Sequence, residues 1–391
     1  MQFSDLTVGV PREIMEGERR VAVTPSTAEK MIDSGARVLV EAGAGERAFF
    51  SDEEYQDAGA EIVDDAERVY GEVDILLKVK EPKFNEEIGK HEADMLSSDS
   101  ILISFIHPAN PSNHEMVEKL AGNEVTSFTL DGIPRISRAQ SMDALTSMST
   151  VAGYRSVITA ANHLRKFVPM IPTATGTMGP ADVLVVGSGV AGLQAIGTAK
   201  RLGAGVSSID IRPDANEQAQ SLGANVIDFD LPSELAVTEE GYAQRLPDEW
   251  YEKEREALRP HVEQSDVVIL AALIMGEEAP VLVTEDMVED MADGSVIVDI
   301  AIDQGGNCEV SSPGEEIYHD NVMVSAILNM PASLPIDSTS MLAQNINRFL
   351  TYLLEEGGLE IDREDEIVTG TLVTDGGEIV HEGTLKAMGR S

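Results

Sequence analysis

The chain has 391 residues, enough for two domains of ordinary size, and its most unusual property is its charge. The sequence carries 69 acidic against 28 basic residues, so its formal net charge is −41 at pH 7, without a separate acidic tail. A surface of this sign repels phosphate groups, which argues against nucleic-acid binding.

The acidic excess resembles that of cytosolic proteins from halophiles that accumulate salt. At molar salt the Debye length shrinks to about 3 Å, which screens the self-repulsion of such a chain. Cys308 is the only cysteine, so no internal disulfide can form, and we expect a buried thiol in a reducing cytoplasm. The sequence has neither a signal-peptide pattern nor an apolar run of membrane-spanning length. Any membrane association would therefore require a partner.

The N-terminal region alternates short apolar strands with helical stretches, which predicts βαβ units on a parallel sheet. The predicted strands are Thr7–Val10, Arg37–Glu41, Asp74–Lys78, Ile101–Phe105 and Val125–Phe128. The predicted helices are Ser26–Ser34, Asp52–Ala58 and Asn113–Ala121. No glycine fingerprint for a nucleotide occurs in this half.

The middle of the chain begins with a long predicted helix, Ser141–Phe167, which ends before Pro169. Further predicted strands are Val183–Val186, Val206–Asp210, Val226–Asp228, Val267–Ala271 and Val296–Asp299. A second long helix is predicted over Ser340–Glu355, and the turn-rich tail Ile367–Gly383 is expected to return to the first domain.

These elements predict an α/β fold with two Rossmann-like domains, parallel sheets, and two long linking helices. The first domain is expected over 1–145 and 336–391, and the second over 146–335. A cleft between the two is the expected active site.

The run from Asp182 to Gly192 is the most informative motif, because a strand, a glycine-rich turn and a helix start follow one another. Gly187 permits a tight turn, Gly189 lets the backbone approach a pyrophosphate, and Gly192 lets the helix pack on the strand. Asp210 ends the next strand, where a carboxylate accepts hydrogen bonds from an adenosine ribose. The unit therefore predicts a dinucleotide, with NAD favoured over NADP.

The segment Ser233–Leu258 is charged and begins with poor helical periodicity. A segment of this kind is typical of either a functional lid or a disordered insertion. Tyr242, next to Gly241, offers an aromatic face there. A solvated acidic loop is the alternative interpretation of this segment.

Several motifs together point to one family. They are Pro134–Asp143, Ala152–Arg155, Gly187–Gly203, Gly241–Ala243, Ala272–Ile274, Gly305–Cys308 and Gly370–Thr374. These motifs closely resemble the NAD(H)-binding component of proton-translocating transhydrogenase, over nearly the whole chain. The run Pro134–Asp143 is far more specific to that family than the glycine turn is.

The resemblance implies a set of site residues. Arg135, Gln140 and Asp143 would be the loop beside the nicotinamide, with Arg135 paired to Asp143 and Gln140 steering the ring. Direct hydride transfer moves no proton at the reacting carbons, so residues that fix geometry suffice. The implied cofactor contacts are Arg135, Ile136, Ser137, Arg138, Gln140, Gly187, Gly189, Val190, Gly192, Asp210, Ile211, Arg212, Gly241, Tyr242 and Leu273. No metal site is predicted. The alternative interpretation of Arg135, Gln140 and Asp143 is a surface ion pair and a polar helix start without a role in the reaction.

The resemblance also implies partners. Hydride would pass from NADH to NADP⁺ held by a β subunit, coupled to proton movement through a membrane-spanning subunit. The chain would then be a soluble α subunit, homodimeric, and peripheral at the inner face of the membrane through those partners.

Alanine dehydrogenase, a relative with this fold, is the alternative interpretation. Arg20, Lys78, His107 and Asp303 fall where that enzyme holds its substrate, and Asn329–Ser333 is also more similar to it. An Arg for a carboxylate, a Lys for a carbonyl, a His as general acid and an Asp beside the amine form a coherent amino-acid oxidation site. Shared ancestry or simple polar lining of a cleft would also leave such residues in place.

Overall fold

The computed structural model describes residues 3, 6–237, 243–274, 277–354 and 361–390. They form two compact units: unit 1 contains Met1–Met148 and Ala332–Ser391, and unit 2 contains Ser149–Pro331. The predicted domain boundaries, after residues 145 and 335, lie three and four residues from these divisions.

The strands and helices alternate over most of the described chain. The strands are β1 Thr7–Val10, β2 Arg37–Glu41, β3 Glu61–Val63, β4 Ile75–Leu77, β5 Phe84–Asn85, β6 Lys90–His91, β7 Ile101–Ser104, β8 Thr126–Thr129, β9 Ile171–Thr173, β10 Gly176–Met178, β11 Asp182–Val186, β12 Gly205–Ile209, β13 Asn225–Val226, β14 Val267–Leu270, β15 Val296–Asp299, β16 Glu316–His319, β17 Val322–Ser325, β18 Leu372–Asp375 and β19 Glu378–Ile379. The helices are α1 Pro25–Asp33, α2 Asp52–Asp57, α3 Ala66–Gly71, α4 His114–Gly122, α5 Ala144–His163, α6 Val190–Arg201, α7 Pro213–Ser221, α8 Ser233–Ala236, α9 Asp248–Gln264, α10 Glu285–Glu289, α11 Pro335–Leu353, α12 Glu366–Thr371 and α13 Glu382–Ala387.

Unit 2 has a doubly wound sheet in the order β13-β12-β11-β14-β15-β17-β16. Six of these strands run parallel, and β16 pairs antiparallel with β17 at the edge. Read from β11 as the first strand, the parallel order is 3-2-1-4-5-6, the dinucleotide-binding arrangement, and the order reverses at β11. A ligand is therefore expected beyond the carboxyl end of β11, where the glycine turn lies.

Both faces of this sheet are covered, because successive side chains of β11 point to opposite sides. Val183 and Val185 belong to a core that also contains Ile196 of α6. Leu184 and Val186 belong to a second core, which contains Leu258 of α9. The apolar run of β11 thus anchors the turn from both sides.

Unit 1 repeats the same order in a sheet arranged β19-β18-β8-β7-β4-β1-β2-β3. The strands from β8 to β3 are parallel, and the C-terminal β18 adds to β8 in antiparallel register. The tail therefore joins the first sheet. Both sheets are mixed at one edge, which the expectation of parallel sheets omitted.

The helix starts follow sequence signals. Thr24 and Thr27 form a reciprocal capping box at α1, with Pro25 at the first helical position, and Ser51 and Glu54 form another at α2. Each box satisfies backbone N–H groups that the first helical turn leaves unpaired.

Several predictions were wrong in detail. From Asp248 on, the segment Ser233–Leu258 is not a disordered insertion, because α9 starts there and buries Tyr251, Leu258 and Val262. The second long helix starts at Pro335 rather than at 340, since proline suits a first helical position. The short elements β3 and α3 and the hairpins β9–β10 and β16–β17 were missed.

Within unit 2, α5 crosses the start of α6 so closely that one position must be glycine. A Cβ on Gly153 would overlap the carbonyl group of Ala191, with the carbonyl carbon 2.8 Å away. Because the obstacle is helical backbone, it cannot move aside cheaply.

Gly153→Ala is therefore expected to lower the free energy of unfolding by about 1–3 kcal/mol through overpacking. Gly197→Ala is the matched control, because its Cβ would meet only the flexible Arg201 side chain, at 3.4 Å. Alanine at that helix-interior position is expected to be neutral or stabilising by up to about 1 kcal/mol. Urea unfolding curves measure the stability of both variants. Equal midpoints for the two variants would contradict the close contact.

Candidate functional site

The turn after β11 has a backbone that only glycine accommodates. Gly187 has φ of 89°, in the left-handed region, and a Cβ there would lie 2.7 Å from the carbonyl oxygen of Ala271. A Cβ on Gly192 would overlap the carbonyl oxygen of Gly187. These contacts pack the start of α6 directly against the turn and the end of β14.

Gly189 has the opposite surroundings, because the space above it is open. Among the described residues only one atom, Nη2 of Arg212, lies within 4 Å of the position of a Cβ on Gly189, at 3.8 Å. Gly189 also directly precedes α6, and as a glycine it has no side chain that could cap the first N–H groups of the helix. The first N–H groups of a 12-residue helix and its positive dipole end therefore face this space, as a pyrophosphate requires.

Asp210, at the carboxyl end of β12, joins the turn to the next strand. Its Oδ2 accepts hydrogen bonds from Ser188 N–H at 2.6 Å and Arg212 Nη2 at 2.9 Å. Its Oδ1 accepts from the backbone N–H and the Nε of Arg212, both at 2.9 Å. Asn216 fixes the Asp210 backbone through its side-chain amide. Asp210 is 7% exposed, and its hydrogen bonds raise the pKa of Arg212.

This geometry fits a dinucleotide with an unphosphorylated adenosine ribose. A carboxylate offers about four lone-pair directions, and four donors already point at Asp210. A ribose hydroxyl that donated to Asp210 would have to displace some of these donors. A 2′-phosphate would instead meet the carboxylate, while the guanidinium that could neutralise it is held by Asp210.

A second buried carboxylate shapes the loop that follows β14. Asp299 Oδ2 accepts from the N–H groups of Asn307 and Cys308 and from the Ser311 hydroxyl. The Asn307 side chain in turn donates to the carbonyl of Ala272 and accepts from its N–H, at 2.9 and 3.0 Å. Burial raises the pKa of Asp299. This network sets the loop that carries Leu273, whose side chain is 40% exposed.

The Cys308 thiol is buried, as the sequence predicts. Burial raises its pKa to about 12, so it is not a thiolate at neutral pH.

In unit 1, the loop before α5 forms a short 3₁₀ helix over Ser137–Met142. Ala139 and Met142 are buried and anchor it, and the Asn345 side chain of α11 donates to the Ser141 carbonyl at 3.0 Å. Arg135 and Gln140 are exposed on the same loop. The fold thus presents these two side chains on a fixed backbone.

Asp143 ends this loop and starts α5. Its carboxylate accepts from the backbone N–H of Thr146 at 2.8 Å and from the Thr146 hydroxyl at 2.6 Å. Asp143 therefore stabilises the helix start, whatever else it contacts. Its pairing with Arg135 stays a prediction.

Arg138 has a structural role that the sequence did not indicate. Its guanidinium donates to the Tyr352 hydroxyl and Asp365 Oδ2, both at 2.6 Å, and to Glu366 Oε1 at 3.1 Å. These contacts tie the loop to α11 and to the start of α12. A direct cofactor contact by Arg138 would have to compete with them.

The other predicted contacts lie in both units. Ile136 precedes the 3₁₀ helix and Ser137 begins it, and both stay predictions as contacts. Val190 is the first residue of α6, and Ile211 packs beside the second core of unit 2. Gly241 and Tyr242 lie outside the described residues.

Two of the residues suggested for an amino-acid substrate are buried in ion pairs. The Arg20 guanidinium donates twice to Glu18, at 2.8 and 2.6 Å, and Arg20 is 3% exposed. Lys78 Nζ lies 3.4 Å from Glu13 and 3.1 Å from Glu92. Burial alone lowers the pKa of Lys78, but the two carboxylates outweigh it and raise that pKa. Such groups are satisfied within the fold.

The other two are more accessible. His107 Nδ1 lies 2.8 Å from Asp131 Oδ1. Burial lowers the His107 pKa, but the Asp131 charge and hydrogen bond outweigh that effect and raise it. Asp303 accepts from the Asn329 backbone N–H at 3.1 Å.

Comparison with known proteins places the chain in a family. Residues 9–152 match the model of the alanine dehydrogenase/PNT N-terminal domain, and residues 156–382 match the model of the C-terminal domain. The chain belongs to the alanine dehydrogenase/PNT family.

Similar proteins carry two kinds of name. The chain is 41% identical over 379 residues to the NAD(P) transhydrogenase subunit alpha of Cereibacter sphaeroides, covering 96% of this chain and 71% of that protein. It is 32% identical over 399 residues to an alanine dehydrogenase of Staphylococcus haemolyticus, covering 98% and 96%. The structure of a transhydrogenase from Sinorhizobium meliloti matches with a TM-score of 0.82 at 35% identity, covering 96% of this chain and 99% of that one.

Across the described ranges, no helix combines the length and the apolar character needed to cross a bilayer.

Glu254 of α9 is a buried carboxyl that sequence reasoning missed; its helical spacing with Tyr251 and Leu258 was the available signal. Burial, reinforced by the negative charge of Asp210, raises its pKa to about 7. It is 4% exposed, and when ionised it adds negative charge beside Asp210.

Glu254→Gln is expected to stabilise the protein at pH 8 by about 1–3 kcal/mol and to change little at pH 4.5. Because the folded pKa is raised, the folded state binds more protons than the unfolded state between pH 4.5 and 7. Stability is lost as pH rises through that window, and the neutral amide removes the loss. Urea midpoints at both pH values measure the difference. Glu256→Gln, at an exposed site on α9, is the control. If the urea midpoint of Glu254→Gln differs from that of the wild type by the same amount at both pH values, the raised pKa is refuted.

Proposed function

We propose that this chain is the NAD(H)-binding α subunit of a proton-translocating NAD(P) transhydrogenase. The support is the relatives named as transhydrogenase subunits over nearly the whole chain, together with the fixed loop that presents Arg135 and Gln140. NADP⁺ would bind a separate β subunit, and proton movement would occur in a membrane-spanning subunit. Membrane attachment would come only through those partners, and the chain would be a homodimer.

The Asp210 site gives this subunit its half of the nucleotide pair. NAD(H), when bound, supplies the hydride, and Gly187, Gly189 and Gly192 shape the turn for its pyrophosphate. Asp210 would accept hydrogen bonds from the ribose hydroxyls, and these would replace hydrogen bonds that Arg212 now donates. Leu273 would lie against the nicotinamide half, on a loop held by Asn307.

The loop from Arg135 to Asp143 would position the nicotinamide ring rather than exchange protons with it. Hydride transfer between two nicotinamides needs near-attack placement, and an error of about 1 Å costs on the order of 10²-fold in rate. In this role Gln140 steers the ring, Arg135 holds the loop geometry, and Asp143 keeps α5 in register through Thr146.

Gln140→Asn is expected to slow hydride transfer at least tenfold while NADH affinity changes less than twofold. Shortening the side chain by one methylene removes the steering contact but leaves the pyrophosphate and ribose contacts intact. The rate is measured in the complex with the partner subunits, with an NADP⁺ analogue whose reduced form absorbs at a distinct wavelength. NADH affinity is measured by fluorescence titration.

Ser141→Ala, an exposed neighbour on the same loop, is the matched control and is expected to keep the wild-type rate. An unchanged rate in Gln140→Asn would refute the steering role. A loss that appeared only as weaker NADH binding would assign Gln140 to ordinary affinity instead.

Alanine dehydrogenase activity is the second candidate, favoured by the relatives with that name and by the accessible His107 beside Asp131. The buried pairing of Arg20 with Glu18, and of Lys78 with Glu13 and Glu92, argues against it. A substrate carboxylate would have to compete with these buried carboxylates for the charge of both cations.

The purified chain is therefore expected not to oxidise NADH with pyruvate and ammonium, in high-salt buffer, at a rate above background. The same preparation should transfer hydride once the NADP-binding subunit is added. Rapid NADH loss without the partner would favour the dehydrogenase.

A further inference from the structure

A cluster of three side chains lies on unit 2 at the edge of its sheet. Glu285 and Glu289 are one helical turn apart on α10, so their side chains share a face. His319 ends the edge strand β16 and faces them. We call these three residues the edge cluster; neither the glycine turn nor the Arg135 loop includes them.

The spacing of the edge cluster suits a metal ion. His319 Nε2 lies 3.5 Å from Glu285 Oε1 and 3.8 Å from Glu289 Oε1, and the three ligand atoms all lie within 4.8 Å of one another. Two ligands bonded at about 2.1 Å with a tetrahedral angle stand about 3.4 Å apart. A small inward movement of two exposed carboxylates would therefore bring all three atoms to bonding distance.

The histidine nitrogen is otherwise unsatisfied. His319 Nε2 is buried and has no hydrogen-bond partner in the described ranges of the chain, although both carboxylates are within ion-pair distance. A buried ring nitrogen normally has a partner. A metal ion between the imidazole and the carboxylates would supply that partner, and it can enter because the glutamate side chains are 57% and 50% exposed.

The arginine that contacts α10 pairs with other carboxylates of this helix and its end. Arg259 of α9 pairs with Asp286 and Asp290, on either side of Val288 and Glu289. The Glu285 backbone N–H donates to Glu309 at 2.9 Å, which holds the helix start in place. Among the residues that the structure describes, the ion-pair partner of both Glu285 and Glu289 is His319.

We propose that Glu285, Glu289 and His319 form a binding site for a divalent transition-metal ion of the Zn²⁺ class. Imidazole favours zinc over magnesium and calcium, which prefer all-oxygen sites, and three protein ligands leave a fourth position for water. The ion would clip α10 to the edge strand β16. This goes beyond the transhydrogenase proposal and does not depend on it.

Titration calorimetry of the EDTA-treated, dialysed chain with Zn²⁺ tests the site. Millimolar Mg²⁺ is kept in the buffer to occupy the many surface carboxylates. One Zn²⁺ per chain is expected, with at least tenfold weaker binding in His319→Ala and in Glu289→Gln. The zinc-dependent rise in unfolding temperature should disappear in both variants.

His163→Ala is the matched control, because its ring nitrogen also lies near a carboxylate, 3.4 Å from Glu316, and its side chain is likewise 25% exposed. In the described part of the chain, His163 has one acidic ion-pair partner, so the variant is expected to bind Zn²⁺ like the wild type. If His319→Ala does not fold, the exposed Glu289→Gln carries the test. Zinc affinity that is the same in the wild type and Glu289→Gln, or the absence of a one-to-one site, would overturn the proposal.

Discussion

The hydrogen bonds of the Asp210 carboxylate hold together the proposed nucleotide site. The carboxylate holds the Ser188 N–H of the glycine turn and three donors of Arg212, so one buried acid joins the ends of two neighbouring strands. The turn keeps its shape because Gly187 and Gly192 allow backbone contacts that a side chain would block. In the proposed site the same acid would disfavour a 2′-phosphate, because its negative charge would face that phosphate and it already pairs with the nearby guanidinium.

Both units use one strand order, and the glycine turn lies in unit 2. Unit 1 has an anchored loop instead. Ala139 and Met142 of this loop are buried, and Arg138 forms ion pairs with Asp365 and Glu366. A loop anchored in this way suits positioning chemistry, where the gain comes from placement rather than from proton transfer. In the proposed function the turn of unit 2 would bind the cofactor and the loop of unit 1 would position its reacting ring. The proteins similar to this chain include both transhydrogenases and alanine dehydrogenases.

Sequence reasoning found the elements whose signals are local. The apolar run of β11, the glycines of its turn and the acid after β12 each act within a short stretch, and the structure places them together. It missed what depends on contacts far along the chain. Arg138 meets α12 more than 200 residues away, and Asn307 braces the loop of Ala272. The segment Ser233–Leu258 was interpreted as a lid, an insertion or an acidic loop. The helix that starts at Asp248 was missed because α9 buries few residues along a mostly charged surface, which weakens the helical pattern.

The most direct test of this account compares the affinity of the purified chain for NADH and NADPH, by fluorescence titration in one high-salt buffer. A subunit that supplies the NAD half of a two-nucleotide reaction should bind NADH at least tenfold more tightly than NADPH, because Asp210 repels the extra phosphate and retains Arg212. Equal affinities, or tighter binding of NADPH, would contradict the assignment of this site to NAD(H).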